Sequence, residues 1–265
     1  MTSQRYPYAA KGMIKRFARL HQKKYREREG CFLAEGLRTV SELLRQMPSV
    51  ETLVALFVGA DQLALIPFPE RYREKLFLLE QEEMRRLAAT TTSQGVIGVF
   101  RMGSEDRLSR ADEGPSLVVA LDDVQDPGNV GTIIRTAAWF GAAAVISGRG
   151  TADCYNPKSV RSSAGSLYGL ELYSADDLGV ELGRLQARGF HIVTASLQGT
   201  DIRAFKVWPP RLVLVIGNEA NGVSLPIQKI SDSMVMIPHG PASPHVESLN
   251  AAVSAAILIS RFSLG

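Results

Sequence analysis

The chain has 265 residues, 45% hydrophobic and 22% charged, with a formal net charge of +3. Its two cysteines, Cys31 and Cys154, are too few for a disulfide framework or a cysteine-rich metal site, and they suit a reducing compartment. The opening MTSQRYPYAAKGM lacks the apolar centre of a secretion signal, and no window reaches the roughly 18 apolar residues of a membrane span, so a cytoplasmic protein is expected.

The charge is unevenly spread. Between Lys11 and Arg28 stand eight basic residues and one acid, Glu27. Met13, Ile14, Phe17, Ala18 and Leu20 interleave with them at helical spacing, which predicts a basic amphipathic helix. A charge run is usually a solvated helix face. The imbalance of sign here points instead to a polyanion partner. Next, CFLAEGLRTVSELLRQ reads as a strand turning into a helix and TLVALFVG as a strand. EKLFLLEQEEMRRLAAT reads as strand then helix, and GVIGVFR closes a compact α/β domain over residues 1–105. The polar MGSEDRLSRADEGPS has linker chemistry, which places a linker at 106–115 and a second domain at 116–265.

That second half predicts strands at 117–121, 143–147, 190–195, 212–216 and 234–237, with helices at 129–140, 157–164, 175–187 and 249–262. Asn156 before Pro157 has the form of an N-cap, Gly141 suits a helix end, and Ser174 is placed to cap the third of these helices. Alternating strands and helices predict an α/β fold with a mainly parallel sheet. The strand–turn–helix at LDDVQDPGNVGTIIRTAAWFG then marks a ligand site, because ligands bind outside the carboxyl ends of such strands.

Several familiar motifs are absent or incomplete. GNEANGVS has the glycine spacing of a phosphate-binding loop, but Val223 stands where the lysine belongs. No G-x-G-x-x-G follows a predicted strand, and no G-x-S-x-G elbow supplies a nucleophile. His239 and His245 share a loop without a third ligand, so no metal is expected. Three segments remain: residues 126–137, 212–224 and 235–257, each a strand end followed by a polar or glycine-bearing turn. Taken singly each has a plain reading, with Asn129 and Ser248–Asn250 as helix caps, Gly217 and Gly222 as turn residues, and Glu219 as a surface carboxylate.

Together they resemble the SpoU/TrmH-type RNA methyltransferases of the SPOUT class. The likeness is carried in order by Asn129 and Arg135, by Gly217, Glu219 and Gly222, and by Ile237, Pro238, Ser248, Leu249 and Asn250. NPKSVRSSAGSLYGL adds an R-x-S-x-G segment at Arg161, Ser163 and Gly165. The N-terminal half is similar to the family's substrate-binding domain, a fold shared with small RNA-binding ribosomal proteins. One departure is a longer stretch between Pro238 and Ser248, with His239 replacing the common methionine.

The resemblance implies a C-terminal α/β domain with a deep trefoil knot and a mainly parallel sheet, dimerising through that domain, beside a smaller N-terminal α/β RNA-binding domain. It implies methyl transfer from S-adenosylmethionine to a ribose 2′-hydroxyl, in ribosomal RNA before transfer RNA, without metal. Arg135, Asn129, Glu219, Ser248 and Asn250 become the expected catalytic set. Ser196, Gly217, Ile237 and Leu249 are expected to hold the cofactor, and Lys23, Lys24, Arg26 and Arg161 the RNA. Two other classes compare with this. A catalytically silent RNA-binding relative would lack Asn129, Arg135 or Asn250, all present here. A base-methylating relative fits less well, because N-x-G-x-x-x-R together with S-L-N favours the ribose reaction.

Overall fold

A computed structural model describes residues 6–89, 94–103, 114–240 and 247–264. Most of the expected linker, the tip of the 239–247 loop and His245 lie outside the described residues. The first half runs α1 (Lys11–Ala18), α2 (Lys23–Glu29), β1 (Cys31–Glu35), α3 (Leu37–Gln46), β2 (Leu53–Gly59), β3 (Leu76–Leu79), α4 (Gln81–Leu87) and β4 (Val96–Arg101). The second half begins β5 (Ser116–Asp122), α5 (Pro127–Trp139), β6 (Ala144–Ser147), α6 (Pro157–Ser162), β7 (Glu171–Ser174) and α7 (Leu178–Ala187). It ends β8 (His191–Asp201), β9 (Arg211–Gly217), α8 (Leu225–Ile230), β10 (Ser233–Met236) and α9 (Ala251–Leu264).

These elements form two compact units. One gathers the described residues before 104 together with Tyr155–Tyr168; the other gathers those from 114 to Cys154 and from Gly169 onward. The first unit has a four-stranded sheet in the order β1-β4-β2-β3, with β2 and β3 parallel and the other pairs antiparallel. The basic segment is two helices rather than one, because Gln22 takes an extended conformation (φ −99°, ψ 131°) between them. Ile14, Phe17 and Leu20 face inward and join Leu33, Phe57 and Val99 in one core. α6 also packs on β1, and the Phe32 ring meets Tyr155 with centroids 5.0 Å apart.

The second unit holds a six-stranded sheet, β10-β8-β9-β5-β6-β7, in which every neighbouring pair is parallel. Parallel strands covered on both faces read as continuous apolar runs. Val118 to Leu121 on β5 and Leu212 to Ile216 on β9 are buried accordingly. Two elements that the apolar pattern did not predict, the edge strand β7 and the helix α8, are short and largely half-buried or exposed. From β5 the chain steps outward through β6 and β7, then returns to the opposite side of β5. The carboxyl ends of β5 and β9 therefore flank the switch in strand order, with Asp122 opposite Gly217.

Local chemistry sets the helix starts. Asp126 caps α5 by accepting from the N–H groups of Gly128 and Asn129, with Pro127 in the first turn. Asn129 is thus not the cap, and its side chain is free for other partners. Asn156 caps α6 as its sequence predicts, whereas α7 is capped by Asp177, which accepts from the Val180 N–H at 3.1 Å, and not by Ser174. Gly141 closes α5 in the left-handed region at φ 72°, where a side chain is disfavoured.

Candidate active site

At the switch point three loops meet through a chain of hydrogen bonds. Asn250, just before α9, accepts from the N–H groups of Ala252 and Val253 and so caps that helix. Its Nδ2 donates to Asn129 Oδ1 at 3.0 Å, and Asn129 Nδ2 donates to Glu219 Oε1 at 2.7 Å. Residues 129, 219 and 250, far apart in sequence, become one polar unit because their parent strands share a sheet end. Glu219 is one of the expected catalytic set and has a surface carboxylate as its plain reading. The structure gives it Asn129 as a partner.

Arg135 is exposed on α5, one turn from the exposed Trp139, and makes no hydrogen bond or ion pair among the described residues. Ser248 is likewise exposed, and its hydroxyl has no partner among the described residues. The expected catalytic set therefore splits. Three members are locked together and two stand open to a bound molecule.

Of the expected cofactor residues, Ser196 lies within β8, Gly217 ends β9, and Ile237 and Leu249 follow β10. The register between β8 and β10 jumps from Thr194 opposite Met234 to Thr200 opposite Val235, so residues 195–199, including Ser196, leave that pairing. Ser196 Oγ accepts from the Gln198 N–H at 3.2 Å within this excursion. Gly217 ends β9, and a Cβ placed there would lie 2.2 Å from Gly222 C and Val223 N. Its missing side chain therefore admits the protein's own returning loop, which agrees with its plain reading as a turn residue. Asn218 and Gly222 exchange backbone hydrogen bonds at 3.0 and 2.9 Å to close that loop. Ile237 is half-buried, and Leu249 and Leu197 are 45% and 59% exposed. Apolar side chains left partly open beside backbone polar groups fit a purine-bearing cofactor such as S-adenosylmethionine.

Of the expected RNA-contacting residues, Arg26 is corrected. It is 2% exposed, and its Nη1 donates to the carbonyls of Leu20 and His21 at 2.8 and 2.9 Å. It ties the turn after α1 to α2 and offers nothing to solvent. Lys23 and Lys24 are exposed on α2 and Arg161 on α6, all within the first unit. Sequence reading missed Asp122, Asp123 and Asn218. Their signal was present as paired acids ending one strand and an asparagine ending its neighbour.

A parallel α/β sheet with polar loops converging at its switch point defines an α/β domain with a ligand site at that point. The SpoU rRNA Methylase family matches residues 116–260, and the MRM3-like substrate binding domain matches residues 11–98. The chain belongs to the SpoU rRNA methylase family. It is 32% identical to the 23S rRNA (guanosine(2553)-2′-O)-methyltransferase RlmP of Bacillus subtilis, over 93% of this chain and 94% of that one. It is 30% identical to the 23S rRNA (uridine(2479)-2′-O)-methyltransferase of Streptomyces viridochromogenes, over 93% and 90%. Its fold matches the crystal structure of the SpoU methyltransferase AviRb from S. viridochromogenes in complex with AdoMet. That match has a TM-score of 0.80 at 28% identity, covering 95% of this chain and 97% of the other.

Proposed function

We infer that this protein transfers a methyl group from S-adenosylmethionine to a ribose 2′-hydroxyl of ribosomal RNA. The observation that carries the reading is the Asn250–Asn129–Glu219 chain at the junction of three strand-end loops, with Arg135 and Ser248 left unpaired among the described residues. The bound cofactor supplies a methyl group on a sulfonium, already activated for transfer. The protein's task is to orient the hydroxyl and stabilise the charge that develops as its proton leaves. Ser196, Gly217, Ile237 and Leu249 line the cofactor's side. Asn129, held from both ends, presents a fixed amide to the ribose, while Ser248 and Arg135 remain available to it.

The first unit, residues 1–105 in the simplest division, serves as the RNA-binding domain, with a fold akin to small ribosomal proteins. Its α1–α2 face supports this. Lys11, Lys15, Arg19 and Lys24 have no ion pair among the described residues. Glu29 engages Arg16 and Arg28, whose hydrogen bonds hold its carboxyl below the usual range. Arg19, Lys24 and Arg28 lie 5.7, 4.9 and 4.9 Å from the Tyr25 ring centroid, which concentrates positive charge around one aromatic surface. Lys11 and Lys15 also line a groove of about 370 Å³ together with Glu83 and Arg86, the latter paired with Glu82. Charge of this kind meets phosphates, so RNA affinity should fall steeply with salt. Lys24→Ala should reduce the slope of log affinity against log salt by about 1. Arg26→Ala should leave that slope unchanged but lower stability by roughly 1.5–3 kcal/mol, the value of hydrogen bonds to a charged group. A slope change at Arg26 would restore it as a phosphate contact.

The C-terminal domain is the seat of the homodimer and of the knot. α5 and α9 pack on each other, and beside them Trp139, Val253 and Ile257 remain 84%, 47% and 38% exposed. Exposed apolar surface of this kind suits a second copy of the chain. No described helix is long and apolar enough to cross a membrane. A cytoplasmic protein working on ribosomal RNA is the consistent reading.

The acceptor atom is tested with RNA carrying 2′-deoxyribose at the modified nucleotide. This RNA should bind but accept no labelled methyl. Methylation of it would place the acceptor on a base. Preference for transfer RNA over ribosomal RNA in the same assay would move the substrate class to the runner-up.

A further inference from the structure

We propose that Asp123 and Asn218 form a positioning clamp that sets the Glu219 carboxylate on Asn129. The proposal rests on the ribose-methylation reading of the site. Asn218 uses all four hydrogen-bonding positions of its amide. Its Oδ1 accepts from the N–H groups of Ala220 and Asn221 at 2.9 and 3.1 Å. Its Nδ2 donates to the Asp123 carbonyl at 2.9 Å and to Asp123 Oδ2 at 3.1 Å. The first pair folds the loop that carries Glu219, and the second fastens that loop to the turn leading into α5. The loop's far end is tied to the same turn, since the Ser224 N–H donates to Asp122 Oδ2 at 2.7 Å. Glu219 thus stands between two anchors on one turn, and that turn leads into the helix bearing Asn129.

Asp123 occupies the left-handed region at φ 60°, which side-chain-bearing residues seldom adopt, though aspartate tolerates it better than most. The conformation is maintained by its partners. Gly150 makes room for the carboxylate, because a Cβ at Gly150 would lie 2.2 Å from Asp123 Oδ1. Gln125 Nε2 donates to both carboxylate oxygens at 3.2 and 3.1 Å. No cation pairs with Asp122, Asp123 or Glu219 among the described residues. The side-chain half of the clamp is therefore met by neutral amide donors, of which Asn218 Nδ2 is the one that also holds the Asp123 carbonyl.

Asn218→Asp tests this directly. It preserves the acceptor that folds the loop and replaces the donor with a second carboxylate against Asp123. Like charges this close raise the affinity of the pair for a proton. At pH 8 both are ionised and repel, and kcat should fall by about 10- to 100-fold, the range a misplacement of about 1 Å produces. As pH falls toward 5.5 one proton restores the donor, so activity of the variant relative to wild type should rise. KM for RNA should change little, because the basic first unit sets that affinity. A thermal melt accompanies each variant. Should Asn218→Asp fail to fold, Asp123→Asn, which keeps an acceptor, should retain more activity than Asp123→Ala. Equal losses in that pair overturn the clamp. So does an Asn218→Asp variant whose activity relative to wild type is independent of pH. A wild type that transfers no methyl to RNA ribose defeats the functional reading instead, which keeps the two failures apart.

Discussion

Gly217→Ala is expected to lose cofactor binding and methyl transfer by more than about 10²-fold, the scale on which misplaced site groups act. The added Cβ would lie 2.2 Å from Gly222 C and Val223 N and 2.4 Å from Gly222 O, all backbone atoms that no rotamer change can move. The loop must shift away from the end of β9, taking Glu219 off Asn129 and opening the cofactor's side of the site. Overpacking of this kind typically costs roughly 1–3 kcal/mol, so the fold should survive with a lower melting temperature. Gly222→Ala is the control. It stands at φ 67° with open space around it, so its cost is conformational, roughly 1–2 kcal/mol, without a collision. Calorimetry with S-adenosylmethionine or its demethylated product separates the two. Equal binding by wild type and Gly217→Ala would show that the loop tolerates displacement.

The reach of the sequence follows from how far apart the interacting groups lie. β5 and β9 were legible because a strand buried on both faces must be apolar throughout, and their buried runs meet that requirement. The cap of α6 was legible because Asn156 and Pro157 act within one turn. The edge strand β7 was not, since a half-buried strand of four residues leaves almost no pattern. Arg26 shows a different limit. A basic run declares its sign but not which cation turns inward, and the backbone carbonyls of Leu20 and His21 decided that. The site itself was named residue by residue through family likeness. Its wiring was hidden, because Asn250 meets Asn129 across 121 positions and Glu219 meets it across 90. The same holds for Tyr155–Tyr168, which precede β7 in the chain yet pack with the first unit.

Arg135→Ala should keep cofactor affinity and lose about 10²–10³ in methyl-transfer rate, the usual effect of removing one preorganised donor from a developing oxyanion. The side chain is exposed and has no acceptor among the described residues, so its removal breaks no hydrogen bond or ion pair of the described residues. That separates a functional loss from a structural one, and the melting temperature should stay within the small range of surface substitutions. A role as the base that takes the ribose proton fits poorly with its chemistry. A guanidinium keeps its proton in proteins and offers donors only, with no lone pair to accept one. As a fixed cation it is well suited to hold an RNA phosphate and to stabilise the oxygen as its proton leaves. The distinction is measurable with Arg135→Lys. A lysine restores the charge and lowers the pKa, so a base would be improved by it, whereas a planar two-pronged donor would not be replaced. Arg135→Lys should therefore be nearly as slow as Arg135→Ala across the pH range. Recovery that grows with pH as the lysine deprotonates would return the proton-abstracting role to this position. Full activity of Arg135→Ala would leave it a surface arginine, with the ribose oxygen handled by Asn129 and Ser248 alone.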